Sequence, residues 1–422
     1  MDENTHENAN GVVFKNVKIF DGSGSDLFAG SVVVEGNRIS KVMREEVPIP
    51  TGTIVIDGCG RTLMPGMIDA HLHLSWNNAS SLEAIMWMPV EEHVLSCIAS
   101  AKIVLDAGFT SGLGAAAAKP RLDVVIRDAI NSGAIPGPRY LAASPEFTTI
   151  GGLGDTSPPH IELDALTFGT IVTGPDEMRA GVRRMIKYGN DVIKLNLSGE
   201  DLTPTPAEAT PFTDEEVAAA CDEALKRKKM VSAHARSADA IKQCIRHGIR
   251  NIYHASYADE EALDMLEAAK ETHFVAPGLA WLHQTARGAS QFGLTPDSAL
   301  AQMYERELGA AITSMKSMHK RGIKIAIGGD YGFAWTPMGT NATDLQYFVE
   351  LLDFSPLEAL AAATSVGAEM MGMADSIGRV KEGYLADLLL VDGDPSKDVR
   401  ILQQKQNIYG IMKDGQFHKF PH

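Results

Sequence analysis

The chain lacks most of what would tie it to a membrane or to a polyanion. Across 422 residues there is no low-complexity tract and no apolar run approaching the roughly 20 residues needed to span a bilayer. Positive charge is scarce: 38 Lys and Arg face 54 Asp and Glu, a net charge of −16. A field of that sign repels nucleic acid and anionic lipid, so neither is an expected partner. The one basic run, Lys226-Arg227-Lys228-Lys229, reads as a solvated helix end. The opening Met1-Asp2-Glu3-Asn4-Thr5-His6-Glu7-Asn8 is polar and acidic with no apolar core, which excludes a secretory signal there. Cysteine is rare. Cys59, Cys97, Cys221 and Cys244 lie far apart with no paired spacing, which fits neither a disulfide framework nor a zinc ribbon. Buried, reduced thiols in a cytoplasmic protein are expected. No glycine-rich phosphate turn follows the first long apolar segment, which weighs against a doubly wound nucleotide-binding sheet.

What is present is ordinary globular material with a clear order. An apolar fraction of 45% and a charged fraction of 22%, at this length, suit a large barrel plus a smaller unit. Residues 11–62 read as short β-rich runs separated by turn signals such as Asp21-Gly22-Ser23-Gly24, and residues 386–412 do the same. The two ends together suggest one small β domain, 1–62 plus 373–422. Between them, over 63–372, short apolar runs alternate with helical stretches at 91–107, 122–132, 176–188, 214–228, 238–247, 259–269, 299–321 and 356–371. Thr213-x-x-Glu216 forms a capping box before one of these. Alternation of this kind implies parallel strands with crossover helices. Eight candidate strands end near His73, Gly112, Ala143, Asn196, His234, His254, Ala276 and Asp330, the number a closed (β/α)8 TIM barrel needs.

The chemistry-bearing residues sit at those ends. In Pro65-Gly66-Met67-Ile68-Asp69-Ala70-His71-Leu72-His73, two histidines one residue apart on an extended segment point the same way. Two co-directed imidazoles at a buried strand end make a metal-ligand geometry. Lys194 follows Asp191-Val192-Ile193, His234 follows Met230-Val231-Ser232-Ala233, His254 follows Asn251-Ile252-Tyr253, and Asp330 follows the apolar run 323–327 and Gly328-Gly329. A parallel barrel brings all C-terminal strand ends to one face, so the six residues should converge.

With these residues the chain resembles the amidohydrolase superfamily of metal-dependent hydrolases. The resemblance spans nearly the whole length. It rests on His71-x-His73 in its Pro-Gly-x-Ile-Asp frame and on the tail Gly378-Arg379-Val380-x-x-Gly383-Tyr384-x-Ala386-Asp387-Leu388, followed by Asp392-Gly393-Asp394-Pro395. Tyr253-His254-Ala255-Ser256-Tyr257-Ala258-Asp259-Glu260 and Phe274-Val275-Ala276-Pro277-Gly278-Leu279-Ala280-Trp281 are similar to the branch of Xaa-Pro and Xaa-Arg dipeptidases and ochratoxin-degrading amidohydrolases.

The resemblance implies a (β/α)8 barrel with a small β-sandwich domain from both termini. It also implies two divalent metal ions, with zinc the first candidate. His71, His73 and Asp330 would hold one ion, His234 and His254 the second, and Lys194, carbamylated on its amine, would bridge them. A bridging hydroxide would attack the amide bond of an N-acyl amino acid or dipeptide, with Asp330 carrying the proton. A small-molecule substrate and a homo-oligomeric assembly follow from the same resemblance.

One departure bears on specificity. Dipeptidases of this branch carry a histidine within a Gly-Gly-His-Gly-Asp loop, whereas this chain reads Gly151-Gly152-Leu153-Gly154-Asp155. Leu153 cannot donate a hydrogen bond, which shifts the expectation toward an apolar, ochratoxin-like pocket, with Trp76, Trp87, Trp281, Trp335, Met86 and Met88 as candidate walls. Arg236, two residues past His234, is the candidate clamp for a substrate carboxylate. Tyr257 and His283 occupy equivalent loops. Two other readings stand beside this one. An imidazolonepropionase-like cyclic amide hydrolase or a deaminase would share the barrel but use another ligand set. A catalytically dead barrel serving as a binding protein would have lost at least one ligand-type residue.

Overall fold

The computed structural model describes residues 11–45, 49, 51–158, 160 and 168–421, so the polar opening segment lies outside the described residues. Eight parallel strand positions form the barrel. Met67–Leu72, Phe109–Gly114 and Arg139–Leu141 pair in one sheet; Ala143–Thr148, Val192–Asn196, Met230–Ala235, Asn251–His254, Phe274–Ala276 and Lys324–Ile325 pair in the next, with the short Thr170–Ile171 on its edge. The third position is shared. Arg139–Leu141 bonds backward to Phe109–Gly114, and after a break at Ala142 the chain bonds forward to Val192–Asn196. The ring closes where Ala70 N–H donates to Ile327 O at 3.0 Å and Leu72 bridges to Tyr331. Met67–Leu72 is buried along its whole length, as a barrel strand lying under helices must be.

The crossover helices follow the expected spans to within one or two residues for Val90–Asp106, Leu122–Asn131, Gly174–Tyr188, Asp214–Lys226, Ala238–Arg246, Glu260–Ala268 and Ala299–Lys320. The capping box at Thr213 and Glu216 is formed, and Ser355 with Glu358 forms another. The stretch expected as one helix over 356–371 is two, Pro356–Ala362 and Ser365–Met370. The carbonyls freed at the break accept from the barrel: Ala362 O from Ile327 N–H and Ala363 O from Ile68 N–H. Three helices carry no expectation from the sequence: Leu82–Trp87, Leu279–Arg287 and Thr343–Leu352. No helix among the described residues is long and apolar enough to cross a membrane.

Both ends of the chain build one mixed sheet. Its path runs Gln416–Lys419, Ile408–Lys413, Leu388–Val391, Thr62–Pro65, Val12–Ile19, Phe28–Glu35 and Arg38–Met43, with Ile54–Asp57 also paired to Val12–Ile19. Phe14 and Phe417 lie four strand spacings apart on that path, about 19 Å if the sheet were flat. Their ring centroids are 6.1 Å apart. The sheet therefore folds over its own core of Phe14, Val32, Leu63, Leu388 and Met412 and has the two facing layers of a sandwich. The cysteines are all free. Cys97, Cys221 and Cys244 are buried as expected, but Cys59 is exposed, because it occupies a turn with φ of 50° at the sheet's edge.

Candidate metal centre

The C-terminal ends of the barrel strands open into a cavity of about 250 Å3 whose wall includes all six expected ligand residues: His71, His73, Lys194, His234, His254 and Asp330. Each is nearly inaccessible to solvent; Asp330, at 6% exposed, is the most open. His71, His73 and Asp330 are the tightest group, with one candidate ligand atom from each lying within 4.8 Å of the others. His73 Nε2 lies 3.1 Å and His71 Nε2 3.6 Å from Asp330 Oδ1, and His254 Nε2 is 3.9 Å from Oδ2. The ring centroids of His234 and His254 are 4.4 Å apart. Lys194 Nζ sits 3.7 Å from Glu146 Oε1 and 5.0 Å above the Tyr253 ring, on which His71 also stacks.

Local sequence explains much of this placement. Asp69 accepts from the His71 backbone N–H at 2.9 Å and is itself held by Asn341 at 2.7 Å, which pins the strand end. His254 and Asp330 both lie in the left-handed region, with φ of 73° and 62°. Non-glycine residues pay strain there, and such strain gathers at functional sites. Gly278, also left-handed, is required by the same cluster, since a Cβ on it would stand 2.7 Å from His254 Nδ1.

The electrostatics suit a cation. Burial pushes His71, His234 and His254 well below the ordinary histidine value, so each keeps a lone pair at neutral pH. Burial opposes the charge on Asp330, yet His71 and His73 hold its carboxyl well below the usual range. His73 Nδ1 lies 3.3 Å from Ala116 O, which turns Nε2 toward Asp330 Oδ1 at 3.1 Å. That Nε2, Asp330 Oδ1 and the Nδ1 atoms of His71 and His254 are buried with no hydrogen-bond partner among the described residues. Imidazole nitrogens and a carboxylate oxygen left unpartnered around one cavity are the groups a divalent cation satisfies, so the donor set fits a metal. Burial also lowers Lys194, with Glu146 and Asp330 partly offsetting it. A less basic amine keeps more of the lone pair that carbamate formation requires.

The remaining expected residues separate. Leu153 is on the cavity wall, as are Trp76, Trp281 and Trp335. Trp87 is instead 59% exposed, and Met86 and Met88 do not line the cavity. Arg236, expected at the substrate face, is 0% exposed and absent from the wall. All three of its guanidinium nitrogens are engaged, Nε donating to His234 Nε2 at 3.2 Å and the two arms held by Glu307 and Glu200, so the structure leaves it no donor free for a substrate carboxylate. Tyr257 packs under Arg306, and His283 meets the Tyr347 hydroxyl at 3.2 Å; neither reaches the cavity.

Ten wall residues were not anticipated, among them Glu146, Glu200, Phe168 and Phe333. Glu146 lies on Ala143–Thr148 and accepts from Asn196 Nδ2 at 2.9 Å. Glu200 accepts from the Tyr304 hydroxyl and from Arg236. Burial pushes it up to about 7, against the pull of Arg236. Phe333 gathers the aromatic wall, with ring centroids 4.8 Å from Trp281, 5.0 Å from Trp76 and 5.4 Å from Trp335.

Comparison with known proteins agrees with this geometry. Residues 62–417 match the model of the amidohydrolase family. Ochratoxinase of Aspergillus niger is 27% identical over 394 residues, covering 85% of this chain and 76% of that protein. Imidazolonepropionase of Rubrobacter xylanophilus is 23% identical over 403 residues, covering 91% and 90%. The solved structure of a Xaa-Pro dipeptidase with methionine bound in its active site superposes with a TM-score of 0.86 at 27% identity, over 97% of this chain and 100% of that one. From its terminal sheet through the barrel with its buried histidines and aspartate, the chain belongs to the amidohydrolase family and is a hydrolase acting on carbon–nitrogen bonds.

Proposed function

We propose that this amidohydrolase carries two divalent metal ions, zinc being the first candidate, and cleaves the amide bond of N-acyl compounds that bear a bulky aromatic arm. The reading is carried by one observation: six ligand-type residues meet on one cavity whose remaining wall is rich in aromatic rings. His71, His73 and Asp330 would hold one ion, His234 and His254 the other, with carbamylated Lys194 between them. A metal pair of this kind supplies a hydroxide nucleophile at neutral pH and polarises the scissile carbonyl.

The chain's own residues do the rest. Asp330, ionised at neutral pH, accepts the proton shed by the nucleophile and passes it to the leaving nitrogen. Asp69 and Asn341 keep the His71 backbone in place while this happens. Trp76, Trp281, Phe333 and Trp335 seat the aromatic arm and exclude water from the reacting carbonyl. Hydrolysis of a cyclic amide, as in the imidazolonepropionase relative, is the second reading; Lys194 at the cavity favours the binuclear amidase.

A screen of metal-loaded enzyme tests the proposal. N-aroyl amino acid derivatives should exceed Gly-Pro in kcat/KM by about a hundredfold, the preference expected from burying one aromatic group. A preference for Gly-Pro would remove the aromatic-pocket reading.

A further inference from the structure

The backbone of the turn that carries Asp330 is held from several sides. Ile327 O accepts from Ala70 N–H, Gly328 O from Gly278 N–H and Gly329 O from Trp281 N–H, each at 3.0 Å. Those donors are all main chain. The Gly328 N–H differs: it donates to a side chain, Asp344 Oδ2, at 3.0 Å. Asp344 is buried in the first turn of Thr343–Leu352. An acidic residue at that position ordinarily complements the dipole of its own helix from the surface. This one leaves its helix to reach the end of the last barrel strand. Its other oxygen, Oδ1, would stand 2.7 Å from a Cβ placed on Gly329, so the Gly328-Gly329 pair and Asp344 fit one another.

Three residues earlier in the same segment, Asn341 donates to Asp69, which accepts from the His71 N–H. The stretch 341–344 therefore braces the strand end of His71 on one side and the turn of Asp330 on the other. These two residues, with His73, form the tightest group of ligand atoms in the cavity. Asp330 needs the support. Its φ of 62° is left-handed, and a non-glycine residue stays there only where its surroundings over-determine it. Without Asp344 a buried N–H would lose its acceptor two residues from that carboxylate. We infer that Asp344 is the positioning residue of Asp330, fixing through the Gly328 N–H the turn that sets the Asp330 carboxylate against His71 and His73. It touches no reacting atom. The turn needs an oxygen acceptor at residue 344 and not a charge. Burial and the neighbouring Asp69 push the Asp344 carboxyl up to about 8, so a neutral amide should serve in its place. This role rests on the binuclear reading and deepens it.

The test compares Asp344→Ala and Asp344→Asn with the parent as full-length, metal-loaded proteins. The readouts are amide hydrogen exchange over 326–332, metal content after dialysis against a chelator, and kcat and KM for benzoate release from N-benzoyl-phenylalanine. In Asp344→Ala, exchange over 326–332 should quicken by about tenfold or more while the rest of the barrel exchanges as in the parent. One of the two ions should be lost to the chelator, and kcat should fall by about thirtyfold with KM changed by less than about threefold, as when a group supporting a metal ligand is removed. Asp344→Asn should recover all of these. Parental exchange, metal content and kcat in Asp344→Ala would overturn the inference and leave the proposed function standing. An Asp344→Ala protein that unfolds or sheds both ions together would also overturn it, because Asp344 would then be a general core residue. So would an Asp344→Asn protein no better than the alanine variant, because a charge and not an acceptor would be required. Local loosening in Asp344→Ala and its recovery in Asp344→Asn, beside a parent that holds no metal and releases no benzoate, would support the brace and remove the binuclear reading.

Discussion

Replacing Arg236 by methionine should destabilise the protein rather than weaken its grip on a substrate. The guanidinium is fully buried, with one arm on Glu200 and one on Glu307. Glu307 has no solvent exposure and, among the described residues, accepts otherwise only from the Ser256 hydroxyl at 2.7 Å. Removing the cation leaves two buried carboxylates uncompensated, a loss of about 3–5 kcal/mol. Unfolding entropy of roughly 2.1 cal/mol/K per residue gives about 0.9 kcal/mol/K for a chain of this length, so the melting temperature should fall by about 3–6 °C. The fall should depend on pH. Glu200 already sits near 7 because burial and Glu307 raise it while Arg236 restrains it. Without Arg236 its folded-state value rises further above the unfolded one, so the folded state takes up more protons and acid favours folding. The deficit should be largest above pH 7 and shrink toward pH 5. The assay is thermal unfolding of both proteins between pH 5 and 8.5, beside binding of N-benzoyl-phenylalanine. A variant that melts within about 1 °C of the parent across that range, yet loses affinity for the free acid, would refute the buried-network account and restore Arg236 as a clamp.

Asp330→Asn should keep its fold and lose turnover by roughly a hundredfold or more, because an amide cannot take the proton; undiminished hydrolysis would assign proton transfer elsewhere. Phe333→Ala opens the aromatic wall at its most connected ring. It should lower kcat/KM for N-aroyl substrates by about tenfold while leaving Gly-Pro unchanged, so an equal fall for both would mean general damage. Asp123 is buried against the Tyr140 hydroxyl and pushed up from 3.8 to about 7, chiefly by burial. Its folded form holds a proton that the unfolded chain releases, so stability is full below pH 4 and declines as pH rises to 7, by roughly 4 kcal/mol in all. The melting-temperature advantage of Asp123→Asn over the parent should therefore grow from pH 4 to pH 7; an unchanging gap would mean that Asp123 is ionised in the fold.

The candidate ligands were legible because each ends a short apolar run, and strand ends of a parallel barrel share a face whatever the loops do. His71 and His73 needed only the two-residue period of a strand. The wall was less legible. Glu146 escaped because Pro145 sits inside Ala143–Thr148, and proline normally argues against a central strand; here the strand is broken at Ala142, where it changes partners. Arg236 was misplaced because its partners Glu200 and Glu307 are 36 and 71 residues away in sequence. No local pattern distinguishes an arginine at a strand end that faces solvent from one folded under the site. Leu279–Arg287 was missed because it starts directly after Pro277-Gly278, with left-handed Gly278 as its cap in place of a side-chain N-cap. The break in the helical stretch 356–371 comes from tertiary hydrogen bonds to Ile327 and Ile68, which sequence periodicity does not record.

The central claim is that six side chains on one cavity hold two metal ions with Lys194 between them. Metal analysis of the purified protein beside Lys194→Ala, with and without short carboxylic acids in the buffer, tests it most directly. The account predicts two equivalents per chain in the parent, loss of most metal and activity in Lys194→Ala, and partial recovery of both when a small carboxylate stands in for the carbamate. A fully loaded, active parent whose Lys194 is an unmodified amine by mass spectrometry of the intact protein under carbon dioxide would contradict it.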